Sequence, residues 1–229
     1  MTGQEFINSC MYDVGKIQVL TTDTNLRTII LDWLNRVLKD IGSRERHWYW
    51  LEKTATFATV ANQMTYDLPS DINGQRVISV RQKDTPAKLI YVPQRELDIL
   101  EPKPDSYTGN PLYYTLYAND IRLFPVPSDA YTMYLRYMKT IIALTDSASS
   151  TTDIPPMFDE VILNGVKVHA YKYFPQWGNF EVARRDYEGG IINMKRDNDC
   201  QPDDDQISAV HADVGLIEPY RFDKTSVGS

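Results

Sequence analysis

The sequence is short of the groups on which protein chemistry is usually built. Its 229 residues include two cysteines and three histidines. Cys10 and Cys200 stand far apart with no CxxC or Cys/His spacing, so neither a disulfide framework nor a zinc site is indicated, and two reduced thiols are expected. There is no GxSxG elbow, no GxxxxGK[ST] loop, no GxGxxG after a strand and no HExxH. An enzyme needs a nucleophile with its base, paired acids, a metal cluster or a cofactor loop. None is visible, so no catalytic residue, cofactor or metal is expected. Long apolar runs are missing too: no stretch approaches the roughly 18 to 20 residues of a spanning helix, and no basic segment precedes an apolar core at the start. The chain is expected to be made and kept in the cytosol, without membrane contact.

A basic excess is also lacking. The formal net charge is -7, but residues 1–196 carry 23 acidic and 22 basic side chains, whereas 197–229 carry 8 and 2. The body is nearly neutral and the imbalance belongs to the C-terminal stretch. Binding nucleic acid by phosphate neutralisation is not expected of such a body.

What the sequence does have is periodicity. Thr2-Gly3-Gln4-Glu5 has the form of a capping box and predicts a helix over 3–17, with Phe6, Cys10, Val14 and Ile17 on one face. Leu26, Ile29, Ile30, Trp33, Leu34, Val37, Leu38 and Ile41 follow helical spacing through four turns, with Asp23 or Thr24 to start the helix and Gly42 to end it. From His47 the pattern becomes alternating and richer in Thr, Val, Tyr and Phe. Strands are predicted at 54–60, 64–68, 76–81, 88–92, 112–118, 121–125 and 131–139. The first two read as a hairpin around Asn62-Gln63, and Asn119-Asp120 reads as a tight hairpin turn. Pro93 to Leu97 reads as a single helical turn. His47-Trp48-Tyr49-Trp50 is expected to anchor helices to sheet.

After the polar stretch 145–152, Asp153-Ile154-Pro155-Pro156 starts a third helix, about 156–174. It carries two apolar stripes: Phe158, Val161, Ile162 and Gly165 form one, and Leu163, Val166, Ala170 and Tyr173 form the other, which is expected against a neighbouring subunit. A fourth helix, about 179–196, holds Gly189-Gly190 in its middle, where a kink or a close backbone approach is expected. The fold class that results is α+β. An antiparallel helical bundle of 1–46 and 153–199 is interrupted by an inserted antiparallel β-sandwich or barrel, 47–152, and followed by an extended acidic arm, 200–229.

The remaining polar features have plain readings. His169 shares a stripe with Ile162 and Gly165 and reads as structural; Asp203-Asp204-Asp205 lacks the fixed geometry of a calcium loop and reads as a solvated charge run. Eight of the 15 tyrosines lie between residues 91 and 137 of the β region. Alternation on a pleated surface accounts for most of them, with a carbohydrate- or receptor-binding platform as the alternative.

The order of these features resembles the head-to-tail connector adaptors of tailed bacteriophages, the portal-binding head-completion or tail-tubular type. The resemblance rests on the two opening helices, Trp48 to Phe57, Met64-Thr65-Tyr66-Asp67-Leu68-Pro69-Ser70-Asp71, Gly109 to Tyr114, Ile121-Arg122-Leu123-Phe124-Pro125-Val126-Pro127, Leu135-Arg136-Tyr137 and Ile154 to Glu160, and it covers roughly 2–198. It implies a structural virion protein at the portal vertex, in a ring that is usually twelve-fold, with the portal protein on one side and a tail nozzle or tail-tube protein on the other. Genomic DNA would pass through without sequence-specific binding. The arm, through Pro219, Tyr220, Arg221 and Phe222, is then expected to dock on the portal.

Overall fold

The computed structural model describes residues 1–15, 24–84, 88–100, 107–174 and 177–199. The chain is mixed α/β, with predominantly antiparallel sheets. Helix α1 (Gly3–Gly15) opens with the reciprocal cap its sequence announces: the Thr2 amide donates to Glu5 Oε2 at 2.8 Å, and the Glu5 amide donates to Thr2 Oγ1 at 3.3 Å. Helix α2 (Thr24–Arg44) buries Ile30, Trp33, Leu34, Val37, Leu38 and Ile41. It does not end at Gly42. A side chain there would start 3.0 Å from Ile141 Cδ1, so the glycine lets the 140–144 segment lie against the helix instead of stopping it.

The sheets are built from β1 (Glu52–Ala58), β2 (Thr65–Asp67), β3 (Ile72–Gln82), β4 (Ile90–Tyr91), β5 (Thr108–Gly109), β6 (Tyr113–Tyr117), β7 (Asp120–Phe124), β8 (Val126–Pro127) and β9 (Thr132–Lys139), with the short helix α3 (Gln94–Leu100) after β4. Their orders are β1-β9-β3, β2-β7-β6-β4 and β5-β8. The hairpin expected at Asn62-Gln63 is not formed: β1 pairs along its length with β9 and β2 pairs with β7, so the chain changes sheets there. The cause is local. Thr59 binds Tyr131 and Asp129, steering the end of β1 away from β2, while the Tyr66 hydroxyl donates to Gln63 O at 2.8 Å and accepts from the Val60 amide at 3.0 Å. That ring pins the crossover, and Asn62 takes a φ of 63° within it.

The β6–β7 hairpin does form, one residue earlier than expected. Tyr117 pairs with Asp120, so the turn is Ala118-Asn119, and Ala118 takes the left-handed φ of 52°. A Cβ is disfavoured in that region, so Ala118→Gly is expected to raise stability by about 0.5–1 kcal/mol. A higher urea midpoint with an unchanged slope would show it.

Two clusters of buried side chains organise the molecule. Between the sheets lie Tyr66, Val80, Tyr114, Ile121, Leu123, Met133, Leu135 and Tyr137. The other joins α1 and α2 to α4 (Asp159–Tyr173) and α5 (Trp177–Asp199), together with Trp48, Leu51, Met138, Leu144, Ile154 and Phe158. Trp48 is the anchor its setting suggests: its indole Nε1 donates to Ile41 O at 3.0 Å, and its ring stacks on Trp50 at 4.4 Å. Segment 140–153 is strapped onto the helices. Asn35 binds both the amide and the carbonyl of Leu144, at 2.8 and 3.0 Å, and Arg27 Nε donates to Asp146 at 2.6 Å.

Small residues set the helix spacing. A Cβ on Gly165 would lie 2.6 Å from Val37 and 2.9 Å from Tyr187, which places this glycine where α2, α4 and α5 meet. Gly190 is a close approach of the kind expected, since a Cβ there would lie 2.6 Å from Val161 on α4. Its neighbour Gly189 faces open space, and α5 is helical throughout.

Candidate assembly surfaces

Among the described residues no group of three or more His, Cys, Asp or Glu side chains is placed to hold a metal ion, and no helix is long and apolar enough to cross a membrane. Cys10 is buried on the inner face of α1, and burial, with Asp13 nearby, pushes its thiol up to about 12, which makes it a packing residue. Cys200, His211, the acidic run and Pro219, Tyr220, Arg221 and Phe222 of the arm lie outside the described residues.

The stripe expected at a subunit boundary is placed differently. Leu163, Val166 and Ala170 are at most 6% exposed and belong to the helical core, whereas Tyr173 is 57% exposed. The reason is that α4 touches α1, α2 and α5, so both of its apolar stripes are covered within one chain. Of the four, Tyr173 alone is open to a neighbour.

It does not stand alone. Tyr173 packs on Trp33 at 5.5 Å and meets Phe174 edge-on at 4.9 Å, while Trp33 stacks against His169 at 6.5 Å. The result is an aromatic corner at the C-terminal end of α4, with Trp33 buried, His169 half-buried and Phe174 40% exposed. His169 has the structural setting expected of it. Burial, with Arg36 and Lys172 nearby, lowers its pKa below the ordinary 6.5. The unfolded chain therefore takes up a proton that the folded chain resists, and stability falls as pH drops through that value. Between about pH 7.5 and pH 5.5 the urea midpoint of the native chain should fall more than that of a His169→Gln variant.

A second surface lies on the outside of the α4–α5 pair. Here a groove of about 600 Å³ is lined by Val161, Asn164, Arg185, Gly189, Ile192 and Arg196, among others. The absent side chains of Gly189 and Gly190 make it: one lets α4 approach and the other leaves bare backbone facing outward. The inner side of α5 is committed to the body, with Tyr187 donating to Asp40 at 2.7 Å, and Arg44 of α2 bridging Asp40 and Glu188. Burial and the Asp40 bond push the Tyr187 phenol well above its usual range, so it stays a neutral donor.

The tyrosines of the β region divide. Tyr66, Tyr114 and Tyr137 are core, while Tyr91, Tyr107 and Tyr117 are about half exposed and engage different neighbours: Tyr114, Phe124 and Arg122 respectively. The cation of Arg122 stands 4.3 Å above the Tyr117 ring.

The described residues thus present an aromatic corner and a groove that are open to contact with other chains. Comparison with family models matches residues 1–205 to SU10 adaptor protein. The chain belongs to that family, in agreement with its resemblance to phage head-to-tail adaptors. A search of curated proteins finds no match to the chain.

Proposed function

We propose that the protein is the structural connector between a phage head and its tail, forming a ring below the portal through which genomic DNA passes. The observation that carries this reading is the family match over residues 1–205, which takes in both the helices and the sheets. Helices from 1–46 and 153–199 form the ring body, and 47–152 is the inserted β domain. A near-neutral body suits a conduit, because a strongly basic wall would retain the DNA that must move. Neighbouring copies meet head to tail, the kind of contact that closes into a ring, and twelve copies are expected. The exposed pair Tyr173 and Phe174 supplies an apolar anchor for that contact, in place of the buried Leu163, Val166 and Ala170. The arm reaches the portal through Pro219, Tyr220, Arg221 and Phe222, and a tail protein binds the opposite side. The virion neck is its place of action.

Truncation after Asn198 tests the arm. The shortened chain should keep its far-ultraviolet spectrum and thermal transition yet fail to co-sediment with portal-bearing capsids. Undiminished co-sedimentation would remove the arm from the portal contact.

A further inference from the structure

We propose that the groove between α4 and α5 is the seat of the chain's own segment Asp203–Val210, which follows α5 outside the described residues. The proposal stands apart from the portal and ring readings and is testable on the isolated protein.

Charge gives the first reason. Glu160 on the groove's rim faces Lys167 at 3.4 Å and Asp186 faces Arg185 at 3.4 Å, whereas Arg196 has no ion pair among the described residues. Arg196 stands at the end of the groove from which the chain leaves. Three consecutive carboxylates, Asp203, Asp204 and Asp205, begin seven positions later, after Pro202. Pro202 cannot continue a helix and favours an extended course.

Spacing gives the second. Arg196, Gly189 and Val182 recur every seven residues on the outer face of α5, so they are stacked about 10.5 Å apart at 1.5 Å per residue. In an extended or polyproline-type segment, positions three apart are separated by roughly 9–10 Å. Running back along α5 with Asp204 at Arg196, the chain brings Ile207 to Gly189 and Val210 to Val182. An acid therefore meets the free cation, and two aliphatic side chains meet the exposed apolar part of the helix, where Ile192 and Val182 are 51% and 48% exposed. Gly189 gives the third reason: a Cβ built there meets nothing within 4 Å among the described residues, so the groove has room at the level where Ile207 arrives.

The test uses the full chain with p-benzoylphenylalanine in place of Ile192, irradiated at roughly micromolar concentration, well below the millimolar effective concentration of a tethered segment. Peptide mapping is expected to find the cross-link on Asp203–Val210. In an equal mixture of unlabelled and nitrogen-15-labelled protein, the linked pairs should be light with light and heavy with heavy. Mixed pairs, cross-links to another segment, or none would overturn the proposal. In the same protein, Arg196→Glu should cut the yield about fivefold, the size expected for an exposed ion pair. Adding Asp203→Lys, Asp204→Lys and Asp205→Lys should restore it. Arg196 is exposed, so the fold is retained, and a yield indifferent to both changes would overturn the proposal as well.

Discussion

Replacing Gly165 with valine is expected to leave no cooperatively folded chain near room temperature. A Cβ at this position would already lie 2.6 Å from Val37 Cγ1 and 2.9 Å from the Tyr187 ring, and valine adds two further methyls on that carbon. Neither neighbour has room to yield. Val37 is 2% exposed within α2, and Tyr187 is tied to Asp40 by a 2.7 Å hydrogen bond. Separating α4 from α2 and α5 would open the centre of the helical core. Overpacking of an ordinary core costs about 1–3 kcal/mol. A β-branched residue wedged between three helices should exceed about 4 kcal/mol, comparable with the whole stability of a modest domain. Gly189→Ala is the control within the same bundle. In a chain ending at Asn198 it meets nothing among the described residues and gains helix propensity, so it should raise stability by about 0.5–1 kcal/mol. Thermal circular dichroism of the two variants should therefore show effects of opposite sign. Equal effects would mean that the three helices do not meet as described.

The second large effect is expected in assembly and not in folding. Joint replacement of Tyr173 and Phe174 by alanine should lower occupancy of portal-bearing capsids by about tenfold or more, because exposed aromatic anchors carry a disproportionate share of contact energy. In the proposed ring the cost would repeat at every seam, which would make closure steeply sensitive to it. The isolated chain should remain folded, losing about 1 kcal/mol from the contact of Tyr173 with Trp33. Quantitative co-sedimentation beside a thermal melt separates the two outcomes. Full occupancy would show that the subunit contact lies elsewhere.

The helices were legible because their information is local. Leu26 to Ile41 recur at helical spacing and are buried in the helical core or packed against it, and Thr2 with Glu5 form the cap their order announces. Gly42 misled because glycine serves two purposes, ending helices and admitting a neighbour, and only the position of Ile141 reveals which applies. Strand positions were readable from alternation, but the partner of β1 was not. It is β9, with Glu52 opposite Met138, far along the chain, and the hydroxyls of Thr59 and Tyr66 that direct the crossover leave no periodic signal. The β6–β7 turn was displaced by one residue because Ala118, a residue poor at left-handed backbone, occupies that conformation.

The assembly surfaces were the least legible part. Two apolar stripes on one helix signal burial on two sides, and nothing in the sequence says whether the second cover is another chain or another helix of the same chain. Here α1, α2 and α5 supply it. Tyr173 escapes at the end of α4, and its companion Phe174 carries no periodic mark because the helix has ended. The α4–α5 groove was half visible in Gly189-Gly190. A glycine pair predicts a kink or a close approach, whereas the two glycines serve different ends, one against Val161 and the other toward solvent.

Whether this chain forms a ring joining head to tail can be seen by electron microscopy of portal-bearing capsids with and without the purified protein. A ring of density is expected directly beneath the portal, usually twelve-fold, present only with the protein, with the helices forming its wall around an open channel. Capsid vertices that look the same with and without the protein would contradict it.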